Sequence, residues 1–352
     1  MKFIDPKLNE QFEKDGYCKL PLLQDEQIQA LRQFAKSQLL TKEILNTDYG
    51  MYVSLEESPD LKSKALKSVQ ESVVPLLSEH LQDYQIHLGG YLIKAPDHSK
   101  YTFPHQDWTF IDNQTNDVSA TVWISLYDLD EKNGTLGFLK GSHQFLDFVI
   151  GSPSPAVPTP LMGKEAETFP YLKFEPVKAG DALIFNNKTI HAAQPNCGDF
   201  FRIAVGVGIT PANSSLFHYF LNPENDSEFL KLKVEEQFYM TYNNDDLYSL
   251  YQQKKTPEFC EVVGKLPVAR NNYPDLDTVL SKAIECQNIK TNNSIDFSLH
   301  FPQQESKTEE LAQAEEQDST GNHWEDNRTF FQKYTPLNIY REARSRLNLI
   351  SK

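Results

Sequence analysis

From about residue 83 to about 210 the chain is a succession of short β-type runs separated by turn signals at Gly89-Gly90, Asn133-Gly134, Gly141-Ser142 and Gly180-Asp181. Many short strands with such punctuation favour a sandwich, barrel or jelly roll over a βαβ layout. The 352 residues, 39% of them apolar and 12% aromatic, suffice for one sizeable core with additions. Helical patterns flank the β region. Asp25 is a candidate N-cap for a helix whose face carries Ile28, Leu31, Ala35 and Leu39. Residues 222–265 read as polar and helical, with Phe229, Leu232, Val234, Phe238 and Tyr239 loosely spaced for an amphipathic element. Residues 301–330 carry eight acidic side chains against Lys307 and Arg328, the composition of a solvated linker. Beyond it, Thr335-Pro336 suits the start of a terminal helix with Leu337, Tyr340 and Leu347 on one face. The expected organisation is a domain over 1–265 with its β core at about 83–212, and an extension over 266–352.

The formal net charge of -15 argues against a general nucleic-acid binder, because that affinity comes from Lys and Arg neutralising phosphates. A few local cations can still dominate a pocket for an anionic small molecule. Cys18, Cys197, Cys260 and Cys286 are scattered, with neither disulfide nor zinc spacing. The first ten residues carry charges where an export signal would be apolar, and no long apolar run appears. A cytoplasmic protein without a membrane span is expected.

Within this frame, Phe103-Pro104-His105-Gln106-Asp107-Trp108 sets an imidazole and a carboxylate two residues apart. In an extended strand both project to the same face and can share a metal ion. The run 179–185 feeds an apolar strand expected to end near His191, which would supply a second imidazole. Two histidines and one carboxylate form the facial triad of non-haem Fe(II) oxygenases, which leaves positions open for co-substrate and O₂. An ordinary surface His–Asp pair is the competing explanation for His105 and Asp107. His323-Trp324-Glu325 has a similar spacing but lies in the acidic stretch with no later histidine.

Context favours the metal. Along 200–209, Phe201, Ile203, Val205, Val207 and Ile209 make one apolar face, and Arg202 shares the other with Ala204, Gly206 and Gly208. An arginine beside only small residues has space for a ligand carboxylate, which a guanidinium can hold in bidentate fashion. Along 121–127, Val122, Ile124 and Leu126 oppose Thr121, Trp123, Ser125 and Tyr127, a wall of hydroxyls and rings suited to a polar ligand.

Taken together, Tyr91-Leu92-Ile93-Lys94-Ala95-Pro96-Asp97 leading to His105-Gln106-Asp107, then 133–143 with Gly141-Ser142-His143, then Gly180-Asp181 to His191, then Arg202 eleven residues on, resemble the phytanoyl-CoA dioxygenase family of Fe(II)- and 2-oxoglutarate-dependent oxygenases. The likeness covers roughly residues 10–215. It implies a mainly β fold with flanking α-helices around a double-stranded β-helix, the cupin-like jelly roll. His105, Asp107 and His191 would bind Fe(II), and Arg202 would grip the distal carboxylate of 2-oxoglutarate. Trp123 looks like a cofactor-contacting tryptophan, and Tyr91 occupies a cofactor-contacting position. The sequence departs from the family at Ala193, where a small hydroxylated residue is common, and at Lys140, where proline is common. The implied reaction consumes O₂ and 2-oxoglutarate, releases succinate and CO₂, and hydroxylates a C–H bond of a small-molecule substrate. Asp107 fills the position that related halogenases leave open for halide. A cupin-like metal-dependent hydrolase or isomerase could use the same His/Asp/His set, but would have no evident use for Arg202. Specificity in such a fold resides in loops at the barrel mouth, expected at 40–60, 95–104, 109–118 and 146–172, with the proline-rich 151–160 as part of a lid.

Overall fold

The computed structural model describes residues 1–40, 51–98, 100–154, 156–157, 160–161, 163–269, 272–291 and 295. The acidic stretch, the expected terminal helix and His323 lie outside them, as does part of the 40–60 loop. In chain order the elements are β1 (Lys2–Phe3), α1 (Pro6–Asp15), β2 (Tyr17–Pro21), α2 (Asp25–Phe34), β3 (Met51–Val53), α3 (Pro59–Leu77), β4 (Leu81–Gln82), β5 (Tyr84–Lys94), β6 (Thr102–His105), β7 (Ala120–Ser125) and β8 (Leu136–Phe138). There follow α4 (Ser142–Phe145), α5 (Glu165–Thr168), β9 (Lys173–Phe174), β10 (Asp181–Asn186), β11 (His191–Ala193), β12 (Arg202–Pro211), β13 (Leu216–Leu221), β14 (Glu228–Val234), α6 (Glu236–Thr241), α7 (Asn244–Gln252), β15 (Cys260–Pro267) and α8 (Leu276–Glu285). The fold is mainly β with flanking helices.

Period-two alternation along the central strands decides the layering. A six-stranded antiparallel sheet runs in the order β2-β10-β7-β12-β5-β3. Its outward apolar set, including Val122, Ile124, Ile203, Val205 and Val207, forms one core with Leu31, Ala35, Val69, Val73 and Leu77 from the helical layer. On α3 the buried Ala65, Val69, Val73 and Leu77 recur every four residues, as a helix stripe must. Burial of each large aliphatic side chain contributes roughly 1.5–3 kcal/mol. The opposite face of the sheet meets a four-stranded sheet, β6-β11-β8-β9, across a second core that joins Tyr17, Trp123, Leu183, Phe185 and Ala204 to Leu136, Phe138 and Ala193.

Several local expectations change. Gln24, rather than Asp25, caps α2, with a reciprocal capping box to Gln27; Asp25 is the first helical residue. The stripe Ile28, Leu31, Ala35 and Leu39 is buried, and its last part lies on a π-turn, Ala35–Leu39. Residues 222–265 are not one helical stretch: Phe229, Leu232 and Val234 lie on β14, the middle strand of a three-stranded sheet β13-β14-β15, and only Phe238 and Tyr239 sit on a helix. Ser152 in the expected lid is tied to β13 by backbone bonds from its N–H to the Tyr219 carbonyl and from the Leu221 N–H to its own carbonyl. The compact unit runs from Met1 to Ser294, so α8 belongs with what precedes it; Asn288 Oδ1 accepts from the Lys140 N–H at 2.9 Å. Among the described residues no helix is long and apolar enough to cross a membrane.

Gly89-Gly90 is not a turn but the middle of β5. The glycines serve close approach, since a Cβ at Gly90 would lie 2.4 Å from Ser54 Oγ. That hydroxyl accepts from the Tyr91 N–H at 2.9 Å. Gly90→Ala must therefore displace Ser54 and break this buried bond, at a cost of about 1–3 kcal/mol. Chemical denaturation of the variant checks this; a change within about 0.5 kcal/mol, the range of an ordinary surface substitution, would contradict it.

Candidate metal centre

The site begins with a register. β6 and β11 pair antiparallel with His105 directly opposite His191, and the two rings lie 4.3 Å apart between centroids. β6 ends at His105, and Asp107 follows just past the strand, where its N–H donates to the Asn187 carbonyl at 3.0 Å. The intervening Gln106 turns inward and donates through Nε2 to the Leu146 and Lys188 carbonyls. Parity is therefore preserved past the end of the strand. His191 opens β11 in the four-stranded sheet; β10 itself stops at Asn186, five residues short of the histidine it was expected to carry.

Asp107 Oδ1 lies 3.7 Å from His191 Nε2 and 4.0 Å from His105 Nε2. One ligand atom from each of the three residues falls within 4.8 Å of the others, as a shared cation requires. The other atoms of these groups are occupied. His105 Nδ1 bonds to the Phe103 carbonyl at 2.8 Å and His191 Nδ1 to the Thr189 carbonyl at 3.0 Å. A carbonyl can only accept, so Nδ1 carries the proton and each Nε2 presents a lone pair, the tautomer a metal ligand needs. Asp107 Oδ2 accepts from Thr121 Oγ1 at 2.7 Å and from Asn187 Nδ2 at 2.8 Å, which leaves Oδ1 toward the cluster. Burial, reinforced by the neighbouring His105, pushes His191 down to about 4 against the pull of Asp107, so its ring is neutral at neutral pH. Phe185 packs on it at 4.5 Å. His191 is buried, whereas the side chains of His105 and Asp107 are each 25% exposed, so the open side of the cluster is theirs. The donor set fits a divalent metal.

Arg202 starts β12 on the face it shares with Ala204. It is 1% exposed, and its Nε and Nη2 have no hydrogen-bond partner among the described residues. Trp123 Nε1, on the neighbouring strand, is likewise unpartnered, and the guanidinium lies 5.6 Å from the Trp123 ring centroid. Burial lowers the Arg202 pKa to about 10, which keeps it cationic. Buried donors without acceptors are costly, and these suit a ligand carboxylate.

Tyr91 does not join them. It pairs in register with Val205, an outward residue. Its ring stacks on Phe34 at 5.2 Å and its hydroxyl lies 2.8 Å from Ser68 Oγ, in the helical layer. The expected cofactor contact is corrected on this ground: the inward residues of β5 are its neighbours. One of them was passed over in the sequence. His87, buried with neither ring nitrogen partnered among the described residues, lies over Gly208, where a Cβ would come within 2.8 Å of the imidazole. The signal for it was the glycine opposite, which leaves room for a ring. Thr121, read in the sequence only as part of the hydroxyl-lined wall, and Asn187, unremarked there, orient Asp107. His143 bonds through Nε2 to the Glu13 carbonyl at 3.0 Å.

Removing the support of Asp107 while leaving the three ligand residues, as in Thr121→Val with Asn187→Ala, is expected to weaken Zn(II) or Mn(II) binding about 10–100-fold. Metal titration of the folded variant checks this, and unchanged affinity would refute the role of the pair.

The sequence profile of phytanoyl-CoA dioxygenase matches residues 12–204. Phytanoyl-CoA dioxygenase domain-containing protein 1 of Danio rerio is 29% identical over 139 residues, 38% of this chain and 46% of that protein. A probable alpha-ketoglutarate-dependent hypophosphite dioxygenase of Stutzerimonas stutzeri is 35% identical over 91 residues, 25% of this chain and 31% of that protein. These matches span less than half the length of either relative. Among solved structures, the non-heme alpha ketoglutarate dependent carbocyclase SnoK is 21% identical with a TM-score of 0.44, covering 60% of this chain and 86% of its own. HygX from Streptomyces hygroscopicus, with nickel, 2-oxoglutarate and hygromycin B bound, is 14% identical with a TM-score of 0.41, covering 60% of this chain and 88% of its own. With its profile matched over more than half its length, from α1 into β12, the chain belongs to the phytanoyl-CoA dioxygenase family.

Proposed function

We propose that the protein is an Fe(II)- and 2-oxoglutarate-dependent dioxygenase that hydroxylates a C–H bond of a small molecule and releases succinate and CO₂. The observation that carries this reading is the coincidence of two unmatched sets on the two packed sheets: lone pairs at His105, Asp107 and His191, and donors at Arg202 and Trp123. Family membership supports it. Two sheets packed across the second core support a double-stranded β-helix, and the reading makes residues 1–265 the catalytic portion.

His105, Asp107 and His191 would hold Fe(II), with Thr121 and Asn187 fixing the carboxylate and the Phe103 and Thr189 carbonyls fixing the rings. When bound, iron with 2-oxoglutarate and O₂ supplies the oxidising power for C–H hydroxylation. Arg202 would grip the far carboxylate of 2-oxoglutarate and so orient its chelating end toward the metal, with Trp123 closing one side and donating from Nε1. Phe138, Phe185 and Tyr17 pack behind His191 and keep bulk water from that side. The quarter-exposed side chains of His105 and Asp107 leave the substrate its approach. A hydrolase or isomerase on the same three ligands would leave the buried guanidinium without a partner, and that favours the oxygenase.

Arg202→Met is expected to raise the 2-oxoglutarate requirement on the order of a hundredfold, the worth of a desolvated charged contact. His105→Ala or Asp107→Ala is expected to abolish turnover with the fold intact. Succinate release after anaerobic Fe(II) loading and admission of air, run across a substrate library, measures both; normal kinetics in these variants would count against the assignment, and silence with tightly retained zinc would favour a hydrolase.

A further inference from the structure

Lys94 closes β5 opposite Arg202, and the two are Cα partners in the antiparallel ladder. Side chains of such partners leave the sheet on the same face. Both are 1% exposed, so two basic side chains stand together in the interior. The Lys94 stem passes the Asn133-Gly134 turn, where a Cβ on Gly134 would lie 3.3 Å from Lys94 Cδ and where φ is +81°. Its Nζ donates to the Lys100 carbonyl at 2.8 Å, which occupies one of three ammonium hydrogens. Among the described residues no carboxylate forms an ion pair with either Lys94 or Arg202; Asp97 pairs instead with Lys100 at 3.7 Å.

Two buried like charges without a counter-charge are strongly unfavourable. The fold can relieve them in two ways: an anion joins the pair, or the lysine gives up its proton. Burial first, then the Arg202 charge and to a lesser extent Lys100, drive Lys94 well below the ordinary lysine value, while Asp97 and Cys197 act in the opposite sense.

We infer that Lys94 is the second cation of the seat for the far carboxylate of the 2-oxoacid co-substrate, acting beside Arg202. This rests on the co-substrate reading above. Before binding, burial and the Arg202 charge shift Lys94 toward the neutral amine. The arriving carboxylate restores the ammonium, so one proton is taken from solvent to nitrogen and no other bond changes. Because the neutral form predominates above the depressed pKa, co-substrate affinity falls as pH rises.

The test is calorimetric titration of the Mn(II)-loaded full chain with 2-oxoglutarate, without O₂, in two buffers of different ionisation enthalpy. The wild type is expected to take up protons on binding, at most one per ligand from this lysine. K94M is expected to bind 2-oxoglutarate about tenfold more weakly, without proton uptake. It should bind 2-oxobutyrate, which keeps the chelating end and lacks the far carboxylate, as the wild type does. Wild-type affinity in K94M, or equal weakening toward both acids, overturns the inference and makes Lys94 a residue that merely pins the Lys100 loop. Absence of any 2-oxoglutarate binding by the wild type overturns the co-substrate reading, and this inference with it. Should K94M not fold, the wild-type proton count decides alone, and zero uptake is the overturning result.

Discussion

His105 and His191 face one another because β6 and β11 pair in a single register, and everything at the site is built outward from that pairing. A shift by one residue would turn one imidazole to the opposite face of its sheet and dissolve the cluster. Several bonds hold the register: the Asp107 N–H on the Asn187 carbonyl, the Gln106 amide on two carbonyls of different loops, and the Leu139 N–H on the Ile190 carbonyl. Asn187 has two tasks, since its backbone positions Asp107 and its side chain orients the same carboxylate. The ligand geometry is thus a property of strand pairing, and the rotamers of the three side chains follow from it.

The facing sides of the six-stranded and four-stranded sheets are organised by complementary deficits. Around His105, Asp107 and His191 the unsatisfied atoms are acceptors; around Arg202, Trp123 and Lys94 they are donors. Small residues on β12, Ala204, Gly206 and Gly208, run along the same face and keep it open to a bound molecule and to the His87 ring. A protein interior normally pairs its polar atoms. Where it leaves acceptors grouped in one place and cationic donors in another, the natural complement is a metal ion joined to a carboxylate, which is the chemistry of a 2-oxoacid bound to iron.

Much of this was legible in the sequence because period-two patterns survive folding. The alternations in 121–127 and 200–209 named the residues that separate onto the two cores, and the Asn133-Gly134, Gly141-Ser142 and Gly180-Asp181 signals all coincide with glycines at positive φ. Alternation says which residues share a face but not which face is inner; Tyr91, given a cofactor contact by the resemblance alone, lies on the outward face, and its neighbours Leu92 and Lys94 point inward. Glycine pairs were ambiguous in the same way, since Gly89-Gly90 relieves a close approach rather than making a turn. The stretch 222–265 failed because Phe229, Leu232 and Val234 fit a helical spacing loosely, and pairing with β13 and β15 overrides local preference. Only the ladder reveals that Lys94, quoted in the sequence as part of a motif, stands beside Arg202.

The central claim is spatial, and a crystal structure of the Mn(II)-loaded protein with 2-oxoglutarate, prepared without O₂, tests it most directly. The anomalous signal is predicted within bonding distance of His105 Nε2, Asp107 Oδ1 and His191 Nε2 together, with the far carboxylate of the ligand against Arg202. A metal held elsewhere, or a ligand whose far carboxylate leaves that guanidinium unpaired, would contradict it.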